Sequence, residues 1–128
     1  MKKLLLLLSM CLFSSALFAG EYPDISIAEL EKAIESKKVV VIDVNGNKSF
    51  SKAHIPTAIN FAKSGKKLKA KLPSDKDTLI VAYCGGPKCS AYQRGAKAAA
   101  ALGYTNIKHL SAGISGWVKA GKSTEKAK

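Results

Sequence analysis

Cys84-Gly85-Gly86-Pro87-Lys88-Cys89-Ser90 puts two thiols, two glycines and a lysine into one short loop. An apolar run, Thr78-Leu79-Ile80-Val81-Ala82, leads into it through Tyr83, and an alanine-rich run from Ala91 to Leu102 follows. The pattern reads as a strand, a tight loop and a helix start. A helix N-terminus offers unpaired backbone N–H groups and the positive end of a dipole, which favour an anion. A thiolate is an anion, and helix N-termini lower cysteine pKa values. Cys84 is therefore a candidate nucleophile, with Cys89 as a second candidate catalytic sulfur. Gly85 and Gly86 let the loop curl and a substrate approach closely. Lys88 is placed to neutralise an incoming anion. Ser90 is a candidate helix cap or substrate contact.

The spacing of the thiols narrows the chemistry. Five residues from Cys84 to Cys89 is not the two-residue spacing of zinc or thioredoxin sites. Only His54 and His109 are available to complete a metal set, and neither is near in sequence. No metal and no organic cofactor is expected. Two readings stay open: Cys84 as a lone nucleophile, or Cys84 and Cys89 as a reversible disulfide.

The elements that position the loop can be read in order. Ser26-Ile27-Ala28-Glu29 is a capping box, and Ile25 and Leu30 are placed for a hydrophobic staple. Leu30, Ala33 and Ile34 carry a helix to about Ser36. Val39-Val40-Val41-Ile42-Asp43-Val44 is a β-branched run of the kind buried on both faces of a parallel sheet. Asn45-Gly46-Asn47 is a turn, residues 48–53 a short helix, and residues 54–61 a turn into a short strand. Residues 64–72 read as one basic helix with Leu68 and Leu72 on a face. Beyond the strand at 78–83 and the cysteine loop, Ala91, Gly95, Ala98 and Leu102 predict the buried face of a helix stopped by Gly103. Residues 106–110 form a further strand, and a short helix bears Trp117 and Val118. Residues 122–128 read as a frayed polar tail. Alternating strands and helices imply an α/β fold with a mainly parallel sheet, in which ligands bind beyond the carboxyl ends of strands.

The chain has 128 residues, the size of one domain. Met1-Lys2-Lys3, the apolar residues 4–13 and Ala16-Leu17-Phe18-Ala19 follow the pattern of a cleaved signal peptide over residues 1–19. The alternative is an uncleaved anchor, for which the apolar stretch is short. Export implies a periplasmic or secreted protein that meets the membrane only through its signal. Cys11 leaves with that segment, so the mature chain keeps Cys84 and Cys89 alone. The formal net charge is +12, two units less without Lys2 and Lys3, and Arg94 is the only arginine. Scattered lysines suit a solvated surface or attraction of anionic substrates. With no aromatic-and-arginine platform, nucleic acid is not an expected partner.

Taken together these segments resemble the rhodanese family. The resemblance rests on Val41-Ile42-Asp43-Val44, His54-Ile55-Pro56-Thr57-Ala58-Ile59-Asn60, Tyr83-Cys84 with its loop, Leu102-Gly103-Tyr104-Thr105-Asn106-Ile107, and Gly113-Ile114-Ser115-Gly116-Trp117. It implies a rhodanese-like domain over residues 21–121, with a five-stranded, mainly parallel sheet and helices on both faces. It also implies sulfur transfer: a cysteine, here Cys84, takes sulfane sulfur from a small anionic donor such as thiosulfate or polysulfide. The sulfur is held as a persulfide and passed to a thiophilic acceptor. Two positions depart from the family pattern. Cys89 stands where many active members have an arginine that closes the loop, and Asn45 stands where arginine usually follows Asp-Val. Pro87 also removes one donor from the backbone cradle. These departures bear on thiosulfate:cyanide activity and leave the fold unchanged.

Three other functions compete with a persulfide carrier on Cys84. The first is a dithiol redox protein using Cys84 and Cys89 with a thiol-bearing or redox partner protein. In the second, Cys89 attacks a Cys84 persulfide, releases sulfide and leaves a disulfide. The third is a non-catalytic rhodanese-like module that binds an anion or a partner. Asp43 and His54 are expected to be scaffold, the carboxylate hydrogen-bonded near the His54 segment. Tyr83 and Trp117 are expected in the core or pocket wall.

Overall fold

The structure, a computed structural model, describes residues 22–128. The segment read as a signal peptide, residues 1–19, lies outside the described residues. Helix α1 (Ile27–Glu35) starts at Ser26, whose hydroxyl accepts from the Glu29 N–H while the Glu29 carboxylate accepts from the Ser26 N–H. Ile25 and Leu30 are both buried in one apolar cluster at that turn. Strand β1 (Val39–Asp43) leads to α2 (Asn47–Lys52), and the short β2 (Ile59–Asn60) precedes α3 (Phe61–Ser64). A 3-10 turn (Gly65–Lys67) and α4 (Leu68–Lys71) follow. Then come β3 (Leu79–Tyr83), α5 (Tyr92–Ala101), β4 (Ile107–His109) and α6 (Gly113–Lys119).

The strands form one parallel sheet in the order β2-β1-β3-β4. Its two faces alternate residue by residue, as a pleated strand requires. Val41, Val81 and Tyr83 face one buried cluster with Leu30, Ile55, Leu110 and Trp117. Ile42, Ile80, Ala82 and Cys84 face the other, with Leu68, Tyr92, Ala96 and Ala99. Both central strands are therefore apolar on both faces up to their carboxyl ends, where Asp43 and Tyr83 stand, which explains the uninterrupted runs in the sequence.

Four expectations are corrected. The sheet has four strands among the described residues, not five. A fifth place beside β4 holds only a one-residue parallel bridge between Asp24 and His109. The His109 N–H donates to Pro23 O and the Ile25 N–H to His109 O, at 2.8 and 2.9 Å. Pro23 has no N–H to extend this pairing, and the cap at Ser26 turns the chain into α1. The basic helix over 64–72 is split, because Gly65 adopts φ +42° and breaks the α-helical run. The buried face of α5 is Tyr92, Gly95, Ala96 and Ala99, while Ala91, Ala98 and Leu102 are only partly covered. Residues 122–128 are pinned rather than frayed. The Trp117 indole N–H donates to Ser123 O at 2.8 Å, and His54 and Glu125 exchange two backbone hydrogen bonds at 2.9 Å.

Candidate active site

The carboxyl ends of β1 and β3 are locked together below the cysteine loop. Asp43 and Tyr83 are register partners, and the Tyr83 hydroxyl donates to Asp43 Oδ2 at 2.5 Å. The same hydroxyl accepts from the Ile55 N–H at 3.0 Å, and Asp43 Oδ1 accepts from the Asn45 N–H at 2.8 Å. Burial pushes the Asp43 carboxyl above its ordinary value, against the opposing effect of these donors. Burial, with the adjacent carboxylate, also pushes the Tyr83 phenol up. Asp43 is thus a fixed acceptor. His54 is scaffold as well: its Nδ1 lies 2.8 Å from Phe50 O, its ring stacks on Phe50, and the tail covers it.

Cys84 follows β3 directly and is almost fully buried. Its loop is organised by α6. The Ile114 N–H donates to Cys84 O and the Ser115 N–H to Gly85 O, each at 3.0 Å. Peptide units are planar and trans, so the N–H groups of Gly85 and Gly86 must point away from α6. Neither donates to another described residue, nor do those of Lys88 and Ser90. The Cys89 N–H is spent on Gly86 O at 3.0 Å. Gly113 makes the close approach possible. It has φ +62°, and a Cβ there would lie 2.6 to 2.7 Å from backbone atoms of Cys84, Gly85 and Gly86. No side chain fits.

Cys84 and Cys89 are joined by a disulfide, with Cα atoms 6.2 Å apart. Cys89 is half-buried and lines two hollows. One, of about 550 Å³, is bounded by Gly85, Gly86, Pro87, Lys88 and Ser115. The other, of about 340 Å³, is bounded by Lys88, Ser90, Tyr92 and His109 among others. The predicted site residues therefore divide. Gly85 and Gly86 lie on the first side, Ser90 on the second, and exposed Lys88 on both. Ser90 does not cap α5; the cap position is Ala91, with no side-chain bond. A larger hollow of about 720 Å³ lies at the amino ends of β1 and β3, away from the cysteines. It lacks the strand carboxyl ends where this class of sheet places ligands.

A profile of the rhodanese-like domain matches residues 26–120. The chain belongs to the rhodanese-like domain family. Among solved structures, this rhodanese-like chain superposes on the BH2092 protein of Bacillus halodurans with a TM-score of 0.68 and 29% identity, covering 82% of this chain and 77% of that one. It superposes equally well, at 21% identity, on thiosulfate sulfurtransferase from Pseudomonas aeruginosa, covering 84% of this chain and 21% of the enzyme. That likeness shows the fold. It is also 35% identical over 99 residues to the HTH-type transcriptional regulator Rv0324 of Mycobacterium tuberculosis. The rhodanese-like chain spans 42% of that regulator's length.

Sequence reasoning gave no site role to three residues around the cysteines, although it marked Asn45 as a departure from the family pattern. Asn45 sits beside Gly85, and its Nδ2 is buried without a partner among the described residues. Ser115 closes over Gly86, where an added Cβ would stand 2.9 Å from its Oγ. His109 stacks on Tyr92 with ring centres 3.4 Å apart, and its buried Nε2 has no partner among the described residues. The signals in the sequence were the departure at Asn45 and the Gly113-to-Trp117 motif that carries Ser115; His109 had none.

Proposed function

We propose that the protein is a sulfurtransferase that carries sulfane sulfur as a persulfide on Cys84, working from the reduced form of the Cys84–Cys89 pair. The observation that carries this reading is the loop backbone. Gly85 and Gly86 hold N–H groups that donate to no described residue, beside a cysteine at the carboxyl end of a parallel strand. Preorganised N–H groups stabilise a sulfur anion without moving protons. Family membership and a fold shared with a protein named thiosulfate sulfurtransferase support the reaction class.

The cycle has two displacements. The Cys84 thiolate attacks the outer sulfur of thiosulfate, sulfite leaves with the bonding pair, and Cys84 keeps the sulfur as a persulfide anion. A thiophilic acceptor, cyanide or a thiolate, then attacks the outer sulfur and the Cys84 thiolate leaves. Polysulfide enters in the same way with a shorter polysulfide as leaving group. The donor approaches through the glycine-side hollow, where Lys88 supplies the positive charge that an arginine would otherwise give. With residues 1–19 read as a cleaved signal, the protein works in the periplasm or outside the cell, where a disulfide persists.

The disulfide itself favours a second reading, a dithiol redox protein acting on partner thiols. Activity after full reduction separates the two. The reduced protein should form thiocyanate from cyanide with thiosulfate or polysulfide as donor, and Cys84→Ser should abolish it. Sulfur transfer retained by Cys84→Ser would sink the carrier, whereas loss of dithiol exchange alone would favour the redox reading.

A further inference from the structure

The two sulfurs of the disulfide are not equivalent. Cys84 is 1% exposed, while Cys89 is half-buried and borders the hollow that His109 lines. Thiol–disulfide exchange requires access to the sulfur attacked and runs faster when the leaving thiol is the better-stabilised thiolate. Access singles out Cys89, and the N–H groups of Gly85 and Gly86, which donate to no described residue, favour Cys84 as the leaving group.

His109 supplies what an incoming thiol lacks. A simple thiol, with a pKa of about 8.5, is mostly protonated at neutral pH. The His109 residue is 9% exposed, and its buried Nε2 has no hydrogen-bond partner among the described residues. Burial holds the imidazole below the usual histidine value, with Asp24 acting in the opposite direction. The ring is therefore neutral at neutral pH, and a neutral imidazole keeps one nitrogen lone pair that can accept a proton. A hollow of about 340 Å³ suits a small ligand.

We propose that the hollow between Cys89, Ser90, Tyr92 and His109 binds a low-molecular-weight thiol, which attacks Cys89 Sγ while His109 takes its proton. The Cys84–Cys89 bond breaks, and its electron pair leaves on Cys84 Sγ as a thiolate. The first thiol remains on Cys89 as a mixed disulfide. A second thiol, its proton released to solvent, attacks the small thiol's sulfur in that adduct; the oxidised small disulfide leaves and Cys89 is freed as a thiolate that recovers the proton from His109. Two thiols are oxidised and one protein disulfide is reduced. The inference stands on the disulfide and its surroundings, not on the sulfur-transfer reading. It assigns the cysteine that is opened first and the side from which opening comes.

The test uses the oxidised full chain with glutathione, quenched in acid, alkylated and mapped by peptide mass. Glutathione is expected on Cys89 and the alkyl label on Cys84. His109→Gln should slow reduction by glutathione at neutral pH about tenfold or more. It should leave reduction by a phosphine unchanged, because a phosphine brings no proton to remove. Glutathione found on Cys84 overturns the proposal. So does equal slowing of both reductants, or an unchanged glutathione rate. If the variant does not fold, the adduct position in the native chain still decides which sulfur is attacked.

Discussion

Tyr83 and Asp43 lie side by side across β1 and β3, and one phenol hydroxyl ties together three segments of chain. It donates to the carboxylate at 2.5 Å and accepts the Ile55 N–H at 3.0 Å. The next residue after Tyr83 is Cys84, so this buried junction sets where the cysteine leaves the sheet.

Replacing Tyr83 with Phe leaves the Ile55 N–H unpaired in the core and removes a donor from Asp43. Tyr83→Phe should lower unfolding free energy by about 1–3 kcal/mol, read from urea titration. An unchanged midpoint would mean that the junction is not structural.

The Asp43 carboxyl carries a pH signature. Its folded value is raised from 3.8, chiefly by burial, so the folded state binds that proton more tightly than the unfolded chain. Its stabilising contribution is fully present below 3.8 and is lost as pH rises through the raised folded value. The stability of the native chain relative to Asp43→Asn should therefore fall across that window. A difference that rises with pH would show the carboxylate to be favoured by its donors instead.

Gly113 has both a left-handed backbone and no room for Cβ. Gly113→Ala should cost at least about 1–3 kcal/mol from backbone conformation alone and displace the loop at Gly85 and Gly86. Sulfur transfer should be lost with it, whereas Gly121→Ala, with φ +74° but open space around it, should leave activity unchanged.

Deleting residues 122–128 tests the role of the tail. It removes the acceptor of the Trp117 indole, the backbone partner of His54 and the Lys122–Glu31 ion pair at 2.9 Å. The truncated chain should lose about 1–3 kcal/mol and shift Trp117 fluorescence to the red. An unaltered spectrum and melting curve would return the tail to the frayed role expected from its composition.

The local signals were legible where they were strong. Val39 to Val44 and Thr78 to Tyr83 gave the central strands, Ser26 and Glu29 gave the cap, and Cys84 with its glycines gave the loop. What stayed hidden depends on contacts distant in sequence. His109 gains its meaning from stacking on Tyr92, and the tail from pairing with His54. The Cys84–Cys89 pairing was one of two open alternatives, because spacing alone does not say how a loop folds. Tyr92 displaced the expected small face of α5, since its phenol ring finds cover against His109. The break at Gly65 was masked by Leu68 and Leu72, which keep helical spacing just after it.

Intact mass after full reduction tests the central claim most directly. The reduced chain, freed of reductant, is incubated with thiosulfate or polysulfide, and the product is mapped to peptides. The account predicts one added sulfur, located on Cys84 and removed by cyanide. A chain that shows no added sulfur, or carries it elsewhere, contradicts it.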